Sequence, residues 1–381
     1  MPRRILILSA SVGAGHLRAA EAVEAAAREL DPAAVVKHID VLTLTNKLFR
    51  QLYGRAYLDL VNKLPHALGY FYDLLDQQPS PSHKSDRLRR LVQRLNLGKF
   101  LRLLQTDGWD VVVNTHFLPA EIIAALKRQG KFAPPQLTVV TDFESHRLWA
   151  NEPCEAYFTA TEEAALTLHR WGVPPTATAI TGIPVHPVFS QSKDRAECCR
   201  RQGIVGDRPV VLQLAGGFGV GPIEQIYRTI LSVETPLELV IVCGRNTELK
   251  AQLDRCPVPP QHRAKVLGFT DQMDELMCAA DVVVSKPGGL TTSEILARGA
   301  ALLIVNPIPG QESRNSDFLL ENGAAVKASG TATLAYKLNS LLENPERLAQ
   351  LKANAARLGR PRAAYEVAQR AIEFADRYGV R

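Results

Sequence analysis

The chain reads as an α/β protein built from two Rossmann-like domains facing across a cleft. Three observations predict this: short apolar runs that empty into polar or glycine-rich stretches, Ala- and Glu-rich helical segments between them, and a restart of the pattern after Pro184 and Pro187. The 381 residues also exceed the roughly 250 to 300 at which a single core stops growing.

The first run, Ile5 to Leu8, is too short for a signal-peptide core and leads into Ser9-Ala10-Ser11-Val12-Gly13-Ala14-Gly15-His16, so it is expected as a buried strand. A helix is expected from about Leu17 to Leu30 and a second strand over Val35 to Val41. Val111 to Val113 and Leu137 to Val140 have the length and β-branched content of buried parallel strands. Residues about 184 to 207 read as a linker, marked by proline at one end and a Gly-Asp turn at the other. The second series runs through Val210 to Leu214, Leu239 to Val242, Lys265 to Gly268, Val282 to Val284 and Leu302 to Val305. Pro361 to Tyr378 closes the chain as an amphipathic helix. The expected domains are 1–190 and 191–360, with 361–381 as the final helix.

Composition narrows the class. With 46% hydrophobic and 22% charged residues the chain is ordinary globular protein. No apolar stretch approaches the roughly 18 residues of a membrane span, so a cytoplasmic protein, at most peripheral, is expected. Six cysteines without a CxxC pair or histidines at zinc-finger spacing point to neither a metal site nor a disulfide framework.

Residues 44–105 hold eleven Lys/Arg against four Asp, an excess of +7, while the whole chain carries +6. Leu48, Phe49, Leu52, Tyr53, Tyr57 and Leu58 interleave there with Lys47, Arg50, Arg55 and Lys63. That is the signature of a helix lying on an anionic membrane, or of a helix packing its aromatic side on a core and its charges to water. The arginines follow no nucleic-acid-binding motif, so no nucleic-acid partner is expected.

The candidate chemistry sits at strand ends. Gly13-Ala14-Gly15 lies between strand and helix, and His16 ends that loop. Its imidazole suits a general base, or a histidine that caps the helix or bonds a backbone carbonyl. His116 after the strand at 111, and Asp142 with His146 and Trp149, form either an acceptor-side cluster with Gly15 or a network of loop and cap bonds. In the second half, Ala215-Gly216-Gly217-Phe218-Gly219-Val220-Gly221-Pro222 lets backbone approach a diphosphate closely, and Gly217 and Arg245 join the donor side. The strongest signal is Ser285-Lys286-Pro287-Gly288-Gly289-Leu290-Thr291-Thr292. A strand empties there into glycines and a helix is expected from Thr291, so free N–H groups of its first turn suit a diphosphate. Glu294 stands one turn on, within reach of a ribose diol. Gln311, Glu312 and Asn315 offer the donors and acceptors a hexose needs.

These stretches, with Thr141-Asp142-Phe143, Gly182-Ile183-Pro184-Val185 and Gly310-Gln311-Glu312, resemble the monogalactosyldiacylglycerol synthase and processive diacylglycerol glucosyltransferase family, whose C-terminal half is similar to MurG-type transferases. The resemblance implies a GT-B fold whose last helix crosses back to the N-terminal domain, the acceptor on that domain and the UDP-sugar on the other. It implies an inverting transfer of glucose or galactose to diacylglycerol or a glycosyl-diacylglycerol, without metal or other cofactor. His16 would be the base, Phe269 would lie at the uracil, Glu294 on the ribose, Gly289 to Thr292 at the diphosphate, and Gln311 and Glu312 on the sugar. The expected location is the inner face of the cell membrane. A MurG-like transferase to a polyprenyl-diphosphate lipid, a UDP-sugar epimerase and a non-catalytic UDP-sugar-responsive binder are the other readings. The oligomeric state is not legible.

Overall fold

The structure is a computed structural model that describes residues 2–11, 13–45, 98–216 and 222–379. Most of the basic aromatic segment, and Gly217, lie outside the described residues.

The chain divides into two units. The first comprises Met1–Pro187, Pro309–Gln311 and Pro361–Arg381, and the second Val188–Ile308 and Glu312–Arg360.

The first unit carries β1 (Arg4–Ser9), β2 (Val35–Asp40), β3 (Val111–Asn114), β4 (Gln136–Val139), β5 (Ala156–Thr159) and β6 (Thr178–Ile180) in one sheet, ordered β2-β1-β3-β4-β5-β6. All its pairings are parallel. Ile5 to Leu8 are fully buried because helices cover both faces. Alternation along β1 divides the core: Ile5 and Ile7 face α1 (Ala14–Leu30), while Leu6 and Leu8 meet Phe100, Leu104, Trp109 and Ile123. The last helix, α13 (Ala363–Tyr378), packs on α1 through small side chains, Ala364, Ala368, Ala371 and Ala375 against Ala20, Ala26 and Ala27. Arg3 ties both ends of this layer, to Asp376 at 2.7 Å and Asp31 at 2.6 Å. The sheet is completed on its faces by α2 (Gly98–Thr106), α3 (Phe117–Arg128) and α4 (Glu162–Arg170).

The second unit pairs β7 (Val210–Leu214), β8 (Glu238–Val242), β9 (Arg263–Leu267), β10 (Val282–Ser285), β11 (Ala301–Val305) and β12 (Ala325–Ala328) in the order β12-β11-β10-β7-β8-β9. Counted from β7, this is the doubly wound nucleotide-binding order, whose direction reverses between β7 and β10. In the first unit the reversal falls between β1 and β3. Ligands of open α/β sheets bind beyond the strand ends at such reversals.

Several expectations need correction. The stretch expected as a linker contains α5 (Arg195–Arg201), capped by Asp194 and burying Cys198 and Cys199. Arg298 donates to the carbonyls of Val188 at 2.8 Å and Gln191 at 2.7 Å and lies over the Phe189 ring, so this segment is built into the second unit. Strands β5, β6 and β12 had no counterpart in the sequence reading. None of the three contains more than one Val, Ile or Leu, so they lack the apolar run that marks β3 and β10. At the described end of the basic segment, α2 buries Phe100 and Leu104 and exposes Lys99 and Arg102, the core-packing arrangement.

Candidate active site

At the first reversal, three loops meet. Gly13 caps α1 without a side-chain bond, and the helix begins at Ala14, so His16 stands in its first turn rather than at the end of the loop. Extended backbone at Gly13 (φ −147°) turns directly into the helix, which is why the start precedes the expected Leu17. His16 Nδ1 lies 3.0 Å from the Thr115 carbonyl oxygen and 2.9 Å from the Thr141 hydroxyl. A carbonyl only accepts, so Nδ1 carries the proton and Nε2 keeps its lone pair. Thr115 also donates its hydroxyl to the His16 carbonyl at 2.8 Å, clamping ring and main chain together. Burial lowers the His16 pKa to about 4, partly opposed by the Thr115 carbonyl, so the ring is neutral at pH 7.

His116 is the N-cap of α3, its Nδ1 accepting from the Leu118 N–H at 3.0 Å, which is one of the two roles the sequence left open. Its ring stands edge-on to His16 at 4.5 Å, and burial holds its pKa well below the ordinary value. Behind them Trp149 is fully buried and donates to Asp142 Oδ2 at 3.4 Å, with His146 Nε2 4.0 Å from the same oxygen. Trp149 and His146 thus lie buried behind the two imidazoles. Gly15 is partly exposed beside His16.

At the second reversal, β10 ends in buried Ser285 and a partly exposed Lys286. Gly288 caps α9 (Gly289–Arg298) and offers no side chain to the first-turn N–H groups, an arrangement suited to an anion. The helix starts two residues before the expected Thr291, which places Thr291 and Thr292 inside its first turn or at its edge. Thr292 is fully buried, and Glu294 is 3% exposed.

The segment after β11 comes back onto this turn. Asn315, on α10 (Gln311–Glu321), donates to the Pro287 carbonyl at 3.0 Å. Glu312 Oε2 accepts from the Ile308 N–H at 2.7 Å, and a Cβ on Gly288 would stand 3.8 Å from its Oε1. Burial raises the Glu312 pKa, with Lys286 pulling the other way. Gln311 opens the same helix.

Between β7 and β10 a small recess of about 20 Å³ is lined in part by Gln213, Ala215, Lys286 and Asn306. Two of these residues carry features the sequence reading missed. Gln213 is buried, and its Oε1 has no hydrogen-bond partner among the described residues. Asn306 is the non-glycine residue with positive φ (44°) there, a conformation Asn tolerates better than most residues. An Asn-Pro pair directly after an apolar strand was the available signal. Beyond β8 and β9, Phe269 is 69% exposed with the Arg245 guanidinium 5.5 Å from its ring centre.

Two doubly wound parallel sheets, one presenting an oriented neutral imidazole and the other a glycine-capped helix start beside a recess, are those of the GT-B fold. Residues 16–185 match the family model of monogalactosyldiacylglycerol (MGDG) synthase, and residues 223–367 match that of the glycosyltransferase family 28 C-terminal domain. The chain is thus similar to an MGDG-synthase domain followed by a family 28 C-terminal domain, and is a UDP-sugar glycosyltransferase. A processive diacylglycerol beta-glucosyltransferase from Bacillus pumilus is 26% identical over 98% of this chain and 96% of its own length. Among solved structures, Acinetobacter baumannii MurG superposes with a TM-score of 0.64 at 18% identity, covering 98% of this chain and 100% of that one. Anabaena HepE in complex with UDP-glucose superposes with a TM-score of 0.54 at 16% identity, covering 98% of both chains. These two likenesses are of fold.

Proposed function

We propose that the protein transfers a hexose, glucose in preference to galactose, from its UDP-sugar to diacylglycerol or a glycosyl-diacylglycerol at a membrane surface. The observation that carries this reading is the His16 tautomer. Its Nδ1 is tied to the Thr115 carbonyl, leaving Nε2 to accept a proton. His16 Nε2 takes the proton of the lipid hydroxyl as the oxygen attacks the anomeric carbon. The bond to UDP breaks in the same step, so configuration inverts. The N-terminus of α9 and Lys286 stabilise the charge on the departing diphosphate. Glu294 binds the ribose, Phe269 with Arg245 lies at the uracil, and Gln311, Glu312 and Asn315 face the sugar. His116 and Gly15 lie on the acceptor side.

This assignment needs no metal, because helix dipole and lysine supply the positive potential. The basic segment 44–105 holds the protein on anionic lipid at the inner face of the membrane, at about 1 kcal/mol per Lys/Arg near the surface. No described helix is long and apolar enough to cross a membrane, which accords with peripheral attachment.

Incubation with diacylglycerol and, separately, UDP-glucose, UDP-galactose and UDP-N-acetylglucosamine tests the reading. A β-linked glucosyl-diacylglycerol is expected. Transfer only from UDP-N-acetylglucosamine to a polyprenyl-diphosphate lipid, or no lipid product with any donor, would overturn it.

A further inference from the structure

We propose that Thr141 is a positioning residue for His16: its hydroxyl shares the Nδ1 proton with the Thr115 carbonyl and holds the ring so that Nε2 is presented as the base. This rests on the reading of His16 as the base.

The geometry is a three-centre arrangement. Nδ1 has two oxygen neighbours, the Thr115 carbonyl at 3.0 Å and Thr141 Oγ1 at 2.9 Å. The carbonyl has no proton to give, so the single proton lies on Nδ1 and Thr141 Oγ1 accepts. The two oxygens come from different loops, after β3 and after β4, and Thr141 is 125 residues from His16 in sequence. Two fixed acceptors at one ring nitrogen determine the rotation of the imidazole as well as its tautomer. One acceptor alone would leave the ring free to swing about that bond. Thr141 is 5% exposed, and His16 is the hydrogen-bond partner of its hydroxyl among the described residues.

The contact also changes strength along the reaction. When Nε2 gains the acceptor's proton, positive charge spreads over the ring and Nδ1–H becomes a charge-assisted donor, roughly twice as strong as a neutral one. An interaction that strengthens in the transition state speeds the chemical step. The need for it is local. Burial makes the imidazolium costly here. The other groups at the ring bring no negative charge: His116, edge-on at 4.5 Å, is neutral with Nδ1 engaged by Leu118, and Trp149 lies 6.3 Å away. The Thr115 share comes from main chain, so no side-chain substitution removes it. The Thr141 share is separable.

The test uses the full chain with Thr141→Val, which keeps the shape and deletes the hydroxyl, Thr141→Ser, which restores it, and His16→Ala with and without Thr141→Val. Thr141→Val is expected to lower kcat roughly ten- to a hundredfold, the range for a hydrogen bond to a charged group, with UDP affinity within about twofold. Thr141→Ser should regain most of the loss. In the His16→Ala background Thr141→Val should add nothing, because a residue that acts through His16 has nothing left to position. Wild-type turnover in Thr141→Val, or the same proportional loss in both backgrounds, overturns the proposal. If Thr141→Val does not fold, Thr141→Ala decides by the same comparison: a loss of kcat with UDP affinity intact, absent in the His16→Ala background, supports it, and wild-type turnover overturns it. Full activity of His16→Ala would instead remove the base itself, a result distinct from any of these.

Discussion

Asn315 reaches back 28 residues to donate its side-chain N–H to the Pro287 carbonyl at 3.0 Å, tying α10 to the turn that opens α9. Asn315 is 1% exposed, so the bond lies within the protein. The bond links a residue proposed for the sugar with the turn proposed for the diphosphate.

Replacing Asn315 with Ala should therefore cost both stability and donor binding. A buried carbonyl left without a partner costs about 1–3 kcal/mol, and the expected loss in urea unfolding is of that size. UDP affinity measured by calorimetry should fall with it. Retained affinity in a destabilised variant would confine Asn315 to folding.

Glu294→Ala should weaken UDP binding with little effect on kcat at saturating donor. A carboxylate accepting ribose hydroxyls contributes roughly 1.5–3 kcal/mol, or about ten- to a hundredfold in affinity. Calorimetric titration with UDP reads this directly, and unchanged affinity would remove Glu294 from the ribose.

His16→Ala should leave UDP affinity intact and lower turnover roughly 10²- to 10⁴-fold. It should also alter the pH dependence of stability. The folded ring titrates near pH 4, below its ordinary 6.5. Between those values the unfolded chain binds a proton that the folded ring refuses, so stability falls as pH drops through that window and levels below it. The slope is at most about 1.4 kcal/mol per pH unit for one histidine. Melting curves from pH 7 to 4 should be flatter for the variant, with His116, held low by burial, keeping part of the slope. Parallel curves would contradict the buried neutral imidazole.

Turnover should persist in EDTA. No group of three His, Cys, Asp or Glu able to hold a metal occurs among the described residues, and α9 supplies potential at the diphosphate. Activity abolished by EDTA and restored by magnesium or manganese would refute this.

Binding to liposomes should weaken with salt and with neutral lipid. The +7 excess over residues 44–105 acts within a screening length of about 8 Å at physiological ionic strength. Flotation at two salt concentrations measures it. Equal binding to neutral and anionic vesicles would assign the segment to packing, as Phe100 and Leu104 already show for its last turns.

The sequence by itself determined the class of fold, because buried parallel strands must be short apolar runs and their polar ends must mark where ligands bind. Val282 to Ser285 followed by Pro287, Gly288 and Gly289 shows both signals within eight residues. What it left open were matters of distance. Nothing local to Thr141 says that it meets His16, and nothing local to Asn315 says that it meets Pro287. Those pairs are set by strand order, which places the loops after β1, β3 and β4 side by side and brings the segment after β11 to the end of β10. The role of His116 was undecidable for the same reason, since a histidine before a helix serves equally as cap or as acceptor contact until its partners are known. Local propensity decides which residues form strands and helices. Only the packing of the sheets decides which strand ends become neighbours, and so which oxygen fixes the proton on His16.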